Sequence, residues 1–148
     1  MVIKFLASGA FWGYLPLAPG TFGTLWGIPI FFWVSHYPSE VQAGLLVFFI
    51  LAAVFLAGRA ARAGGQKDPS WVVIDEIAGY LASTCWLPFT WFTVLGAFFI
   101  FRILDIFKPF PIRKIDRELP GGWGIVLDDV LAGIYTNILL RLVMALSG

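Results

Sequence analysis

Three long stretches of this sequence contain no charged residue, and they constrain the fold more than any other feature. No Lys, Arg, Asp or Glu occurs at positions 5–39, 41–58 or 77–101. The second and third stretches have 18 and 25 residues, and about 20 apolar residues cross the hydrocarbon core of a bilayer as a helix. The chain is 59% hydrophobic and 13% charged, which excludes an ordinary water-soluble globular protein. The sequence therefore predicts an all-α integral membrane protein.

Glycine, proline and hydroxyl residues divide the apolar sequence into segments. They predict one membrane-embedded domain, residues 1–148, built as a bundle of four to five transmembrane or half-spanning helices. Gly and Pro disfavour a helix in the N-terminal segment, which is expected to be re-entrant or interfacial. The expected helices run from Thr21 to Val34 with a kink at Pro29, from Val41 to Gly58, from Asp68–Pro69 to Pro88, from Thr90 to just before Pro109, and from Ile125 to Ser147.

Basic residues cluster after two of the uncharged stretches. Arg59, Arg62 and Lys67 follow the second stretch, and five more follow the third: Arg102, Lys108, Arg113, Lys114 and Arg117. By the positive-inside rule, both regions and the N-terminus face the cytoplasm. The net charge of +1 gives no signal for binding a polyanion such as nucleic acid.

Six of the nine acids lie at the predicted cytoplasmic helix ends: Asp75, Glu76, Asp105, Asp116, Asp128 and Asp129. Charged groups in or near a membrane are usually paired, bound to a metal or exposed to a wet cavity. Ion pairing with neighbouring basic residues is the structural alternative. The two adjacent pairs offer hard oxygen ligands, and the scarcity of His and Cys favours Mg²⁺ over Zn²⁺. One acid of each pair is expected to bind the metal directly.

The two pairs also share a spacing. Asp75 precedes Gly79 by four residues, as Asp129 precedes Gly133, so the two acid-bearing helix starts are expected to lie opposite each other. The alternative is that these glycines serve only close helix packing.

Two further patterns suit a phosphate group. Arg102, Asp105 and Lys108 recur every three residues before a PFP turn, which predicts a basic pocket at the membrane surface; an ordinary positive-inside cluster is the alternative. Thr21 and Thr24 stand in a Gly-rich segment at a predicted helix start, where backbone N–H groups favour anions. Helix capping alone would also explain them.

Residue patterns that the sequence lacks argue against several classes of phosphatase. The single histidine, His36, lies in a predicted external turn, Cys85 is not followed by an arginine six residues later, and no Asp-x-Asp pair is present. These absences argue against phosphatases with a His, Cys or Asp nucleophile. The remaining mechanism is direct attack on a phosphomonoester by a water molecule that a metal or a carboxylate activates.

Four segments in this order resemble the motifs of the phosphatidylglycerophosphatase A family. They are PLAPGTFGTLWGIP, DPSWVVIDEIAG, FRILDIFKPFPIRKIDR and GGWGIVLDDVLAG, and the resemblance extends from Gly13 to about Asn137. It implies a multi-pass enzyme of the bacterial inner membrane with its site on the cytoplasmic face. Its substrate would be phosphatidylglycerophosphate, its product phosphatidylglycerol, upstream of cardiolipin, and its cofactor Mg²⁺.

The motifs of the resemblance include the acids singled out above, and we infer individual roles for these residues and their basic and hydroxyl neighbours. Glu76 and Asp129 would lead Mg²⁺ binding with Asp75 and Asp128 assisting, while Asp105 or Asp116 would handle the proton. The expected phosphate-binding residues are Arg102, Lys108, Arg113, Thr21 and Thr24.

Two other functions fit the sequence less well. A small transporter or lipid-binding protein with an acidic cation path would spread its acids through the membrane depth, whereas these collect on one side. A CDP-alcohol phosphotransferase would need an Asp-Gly-x-x-Ala-Arg motif, which this sequence lacks.

Overall fold

The protein is all-α, as predicted. The computed structural model describes residues 1–147, which form seven α-helices, one short 3₁₀ helix and no strand. In chain order these are α1 (Val2–Ala7), the 3₁₀ helix (Trp12–Tyr14), α2 (Pro19–Val34), α3 (Ser39–Gly64), α4 (Ile74–Thr84), α5 (Trp91–Phe107), α6 (Ile112–Glu118) and α7 (Gly121–Ser147).

Two helices of the described chain, α3 and α7, are long and apolar enough to cross a membrane. Their 26 and 27 residues rise about 40 Å, against about 30 Å for the hydrocarbon core. The 11 residues of α4 rise only about 16 Å. The expected number of four to five spans remains a prediction.

The short helix α4 lies at the centre of the bundle, where it packs against α2, α3, α5 and α7. On one side, small residues bring α3, α4 and α7 together; Ala57 of α3 and Ala78 of α4 are almost fully buried. On the other side, Tyr80 is fully buried and donates a hydrogen bond to the Val94 carbonyl of α5 (3.1 Å). The elements around the first turn of α4 are thereby held in fixed positions.

The C-terminal end of α4 is closed by side chains of α7. The Asn137 amide donates to the carbonyls of Ser83 and Cys85, each at 3.0 Å, and Arg141 donates to the Cys85 carbonyl at 3.2 Å. The last carbonyls of a helix have no partner within that helix. These contacts allow α4 to end inside the bundle.

Large apolar side chains cover the outside of the bundle. Phe48 of α3 is 64% exposed and Phe99 of α5 is 61% exposed. Such a surface is unfavourable in water and typical of a protein whose outer face contacts lipid.

Two helices in the first half of the chain have bounds that differ from the prediction. α2 begins at Pro19, not at Thr21, with Ala18 at the N-cap position, because proline suits the first helical position, where no N–H donor is needed. The predicted second helix extends beyond Gly58 to Gly64, since the Arg- and Ala-rich continuation consists largely of good helix formers.

α4 begins five residues after Pro69 and ends before the predicted break at Pro88. The backbone N–H of Val73 donates to the Ala7 carbonyl at 2.9 Å, which fixes the preceding residues against α1 in a non-helical conformation. As a result, Asp75 and Glu76 lie in the first turn of the helix rather than two turns into it.

The region after Pro109 was predicted as a polar loop but contains α6 and the start of α7. Ile112 anchors α6, since its side chain is fully buried in the core formed with α4 and α5. α7 begins at Gly121 rather than Ile125, so Asp128 and Asp129 lie two turns into the helix and not in its first turn. The predicted start of the fourth helix at Thr90 agrees with α5, which has Thr90 at its N-cap position, where the hydroxyl accepts the Thr93 backbone N–H (3.2 Å).

Candidate active site

One polar cavity is lined by the helix ends that carry the predicted acidic and basic site residues. The first turns of α2 and α4, the C-terminal end of α5 and the second turn of α7 surround about 260 Å³. Its polar lining residues are Asp68, Ser70, Asp75, Glu76, Arg102, Asp105, Lys108, Asp128 and Asp129. We refer to this space as the acidic cavity.

Three carboxylates form a compact group in this cavity. Asp75, Glu76 and Asp129 each offer an oxygen atom, and these oxygens lie within 4.8 Å of one another. The close crossing of α4 and α7 brings them together, since a Cβ atom at Gly79 would be 2.8 Å from the Asp129 carbonyl oxygen. The structure confirms the prediction, made from the shared Asp-to-Gly spacing, that the two acidic segments face each other.

The carboxylate group is largely removed from solvent. Asp75 is 7% exposed and Asp129 4% exposed. Oδ1 of Asp75 and Oε2 of Glu76 are buried without a hydrogen-bond partner among the described residues. Desolvation is the main reason that the pKa values of Asp75 and Glu76 are raised, and the Glu76 charge adds to the effect on Asp75. Unpartnered hard oxygens converging in a buried space fit a divalent cation such as Mg²⁺.

Two basic residues of the α5 end complete the lining. Arg102 forms an ion pair with Asp105 one turn later, while its Nε atom has no partner among the described residues. Lys108 Nζ lies 2.6 Å from Asp128 Oδ2 and 3.3 Å from Asp116 Oδ2. Anionic and cationic groups therefore share one cavity, an arrangement suited to a ligand that itself carries both negative oxygens and a bound cation.

The first turn of α2 touches the cavity through its backbone. A Cβ atom at Gly20 would lie 2.3 Å from Glu76 Oε1 and 2.8 Å from a terminal nitrogen of Arg102. Glycine at this position therefore leaves the space that both side chains occupy.

The remaining predicted residues lie around this centre. Thr24 is fully buried and its hydroxyl donates to the Gly20 carbonyl (2.9 Å), and Thr21 lies in the first turn of α2 outside the cavity lining. Arg113 donates to the Phe107 carbonyl (3.1 Å) and lines a neighbouring groove. The individual roles predicted for these residues, and metal binding by Asp128, remain predictions.

Asp68 was missed as a candidate site residue because it was interpreted as a helix cap. It precedes α4 by six residues and lines the acidic cavity. Desolvation raises its pKa, and the charges of Asp116 and Asp105 raise it further, against the opposing effect of Lys108. Its position in the DPSW motif was the available signal.

Comparison with known proteins is consistent with this geometry. The family described as phosphatidylglycerophosphatase A matches residues 5–144. The chain is 37% identical over 132 residues to phosphatidylglycerophosphatase A of Escherichia coli K12, covering 88% of this chain and 77% of that protein. The Haemophilus influenzae protein of the same name is 35% identical over 145 residues, covering 93% of this chain and 86% of its own length.

A Bacteroides thetaiotaomicron protein with a different name is equally similar. It is provisionally named a phosphatidylinositol-3-phosphatase and is 37% identical over 144 residues, covering 86% of this chain and 84% of that protein. No solved structure matches the chain.

Proposed function

This chain belongs to the phosphatidylglycerophosphatase A family, and we propose that it hydrolyses the terminal phosphomonoester of phosphatidylglycerophosphate. The products would be phosphatidylglycerol and inorganic phosphate, and the reaction would lie late in phosphatidylglycerol synthesis, upstream of cardiolipin. The observation that best supports the proposal is that the largely buried group of Asp75, Glu76 and Asp129 shares a cavity with Arg102 and Lys108. A phosphomonoester with a divalent cation complements that combination of charges.

The lipids named for the relatives share their reacting chemistry. Phosphatidylglycerophosphate and phosphatidylinositol 3-phosphate each carry one phosphodiester that links the head group to diacylglycerol, and one phosphomonoester further out. A site that holds the monoester suits both. Phosphatidylglycerophosphate is the preferred assignment because the family and two relatives bear its name.

Asp75, Glu76 and Asp129 would hold Mg²⁺, because their oxygens converge and one oxygen each of Asp75 and Glu76 lacks a hydrogen-bond partner in the described part of the chain. Bound there, the cation would neutralise phosphate charge and polarise the phosphoryl oxygens. Asp128 would assist from the adjacent position while its other oxygen accepts the hydrogen bond from Lys108.

The protein side chains would orient the phosphate and move a proton. Arg102 and Lys108 would donate hydrogen bonds to phosphate oxygens from the cavity lining. Asp105 lines the cavity whereas Asp116 does not, so we assign Asp105 as the acceptor of the proton from the attacking water. The water oxygen bonds to phosphorus as the bond to the glycerol oxygen breaks, and the proton passes to that departing oxygen.

The proposed location is the cytoplasmic face of the bacterial inner membrane. α3 and α7 are long enough to span, and the outer surface of the bundle is apolar. Most basic residues lie near the end of the bundle that holds the cavity, the end that the positive-inside rule places in the cytoplasm. The acyl chains would then remain in the bilayer while the head group enters the cavity.

Phosphate release by the purified protein tests this function. The measurement compares phosphatidylglycerophosphate with phosphatidylinositol 3-phosphate, phosphatidic acid and a soluble phosphomonoester, each with and without Mg²⁺. We expect Mg²⁺-dependent release that is fastest from phosphatidylglycerophosphate. Equal rates on all four compounds would reject the substrate assignment. Phosphate release that persists in excess chelator would reject the proposed Mg²⁺ dependence.

The carboxylate assignment is tested by Glu76→Gln and Asp129→Asn. We expect each to lose more than about a hundredfold in kcat/KM, because each removes a charged ligand from a preorganised site. Glu40→Gln makes the same chemical change at an exposed position in the first turn of α3, and it should retain wild-type turnover. Near-normal turnover of both cavity variants would reject the assignment.

A further inference from the structure

A second concave region lies beside the acidic cavity and contains no member of the carboxylate group. It encloses about 450 Å³ between the end of α5 and helix α6. Four of its lining residues are basic: Lys108, Arg113, Lys114 and Arg117. We call it the basic groove.

The positive charge of the basic groove is largely uncompensated. Glu118 is its single acidic lining residue. Lys108 has carboxylate partners, but among residues 1–147 no carboxylate oxygen lies within 4.0 Å of Arg113, Lys114 or Arg117. The guanidinium of Arg113 is oriented by its hydrogen bond to the Phe107 carbonyl. Cationic side chains without carboxylate partners favour an anionic oxygen ligand.

Lys108 connects the groove to the acidic cavity, because its side chain lines both. Its ammonium group contacts Asp128 of the cavity at 2.6 Å and Asp116 of α6 at 3.3 Å. A ligand with one anionic group in the cavity can therefore extend past Lys108 into the groove.

Apolar side chains border the groove on its other side. Phe107 and Phe110 line it and are 70% and 82% exposed, and Ile106, directly before Phe107, is 67% exposed. Exposed aromatic groups beside basic residues are typical of the membrane interface, where phosphate groups of lipids meet the acyl region. The arrangement from cavity to groove to apolar rim follows the order of groups along a phospholipid that carries a second phosphate.

We propose that the basic groove binds the inner phosphodiester of the lipid substrate while the acidic cavity holds the terminal phosphomonoester. This inference rests on the proposed function. The inner phosphodiester does not react and is retained in the product, phosphatidylglycerol. The groove therefore contributes equally to binding of the substrate, the transition state and the product, and its loss raises KM while kcat stays the same.

The double variant Lys114→Gln/Arg117→Gln tests the proposal, since both side chains are exposed and can be neutralised without disturbing the core. Kinetics are measured in neutral detergent micelles without other anionic lipid. We expect KM for phosphatidylglycerophosphate to rise about tenfold with kcat unchanged within about twofold, as charge-assisted hydrogen bonds are lost. The inhibition constant of phosphatidylglycerol, competitive with substrate, should rise by the same factor. Arg59→Gln, which removes a positive charge from α3, should leave all three values unchanged.

Direct binding of short-chain phosphatidylglycerol, measured by calorimetry in the same micelles, separates the two proposals. Absence of phosphate release from the wild-type protein would reject the proposed function, while about tenfold weaker binding by the double variant would still support the groove. The groove assignment would be overturned if the double variant had the KM, inhibition constant and binding of the wild-type protein. Non-competitive inhibition by phosphatidylglycerol would also overturn it. So would a difference between the double variant and the wild-type protein that appears only after anionic lipid is added, because the groove would then hold a neighbouring lipid.

Discussion

Gly133 of α7 lies so close to Gly79 of α4 that a Cβ atom at position 133 would be 2.2 Å from the Gly79 carbonyl oxygen. This backbone contact fixes the crossing of the two helices, and with it the separation between Asp75 and Asp129. We expect Gly133→Ala to destabilise the protein by about 1–3 kcal/mol, because the added methyl group must push two backbones apart. Thermal unfolding in detergent measures the effect.

Gly44→Ala provides the matched control for this substitution. No atom lies within 4 Å of a Cβ built at Gly44, and alanine is favoured over glycine within a helix. This variant should unfold at or slightly above the wild-type temperature. Equal stability of the two variants would contradict the importance of the α4–α7 contact.

The Gly20→Ala substitution should affect activity more than stability. The new methyl group would meet the ends of the Glu76 and Arg102 side chains, which can move where a backbone cannot. Displacement of catalytic groups by about 1 Å costs on the order of a hundredfold in rate. We expect such a loss of kcat/KM with an unfolding temperature near that of wild type. A variant that is fully active, or that fails to fold, would contradict this account.

Asp105 and Asp116 should respond differently to conversion to asparagine. Asp105 lines the acidic cavity, whereas Asp116 contacts Lys108 from α6. Loss of a general base costs about a hundredfold to ten-thousandfold in rate, so Asp105→Asn should reduce kcat by at least a hundredfold. Asp116→Asn should reduce it only a few-fold. Single-turnover kinetics on both variants test the assignment, and the reverse order would transfer the proton role to Asp116.

Metal removal should lower stability as well as activity. A cation that binds only the folded protein adds about 2.7 kcal/mol at a hundredfold excess over its dissociation constant. We therefore expect chelator to lower the unfolding temperature of wild type and of Glu40→Gln, and Mg²⁺ to restore it. Asp129→Asn should show little shift in either direction. A Mg²⁺-dependent shift of wild-type size in Asp129→Asn would argue against cation binding at the carboxylate group.

The sequence predicted the parts of this site that depend on local pattern. The matched spacing of Asp75 to Gly79 and Asp129 to Gly133 was sufficient to predict facing acidic segments, because residues four apart lie on one face of a helix. Outside the site, the start of α5 near Thr90 was likewise predictable, because a hydroxyl group there can accept the backbone N–H three residues later.

Other features depend on contacts between distant segments. The start of α4 follows from the hydrogen bond between Val73 and Ala7, which no local pattern reveals. Helix α6 depends on the burial of Ile112 within a charged segment. The hydrogen bond that the buried Thr24 hydroxyl donates to the Gly20 carbonyl within its own helix also depends on how α2 packs in the bundle.

The early end of α4 has a consequence for which lipids can reach the site. Asn137 and Arg141 satisfy the carbonyls at that end, so the helix stops after about 16 Å, near half the hydrocarbon thickness. The acidic cavity lies at its other end, and Tyr80 and its apolar neighbours fill the depth between. In the proposed orientation, polar space extends into one leaflet only. The enzyme would thus draw its substrate by lateral diffusion within the cytoplasmic leaflet, return the dephosphorylated lipid to that leaflet, and release phosphate to the aqueous side without any lipid changing sides.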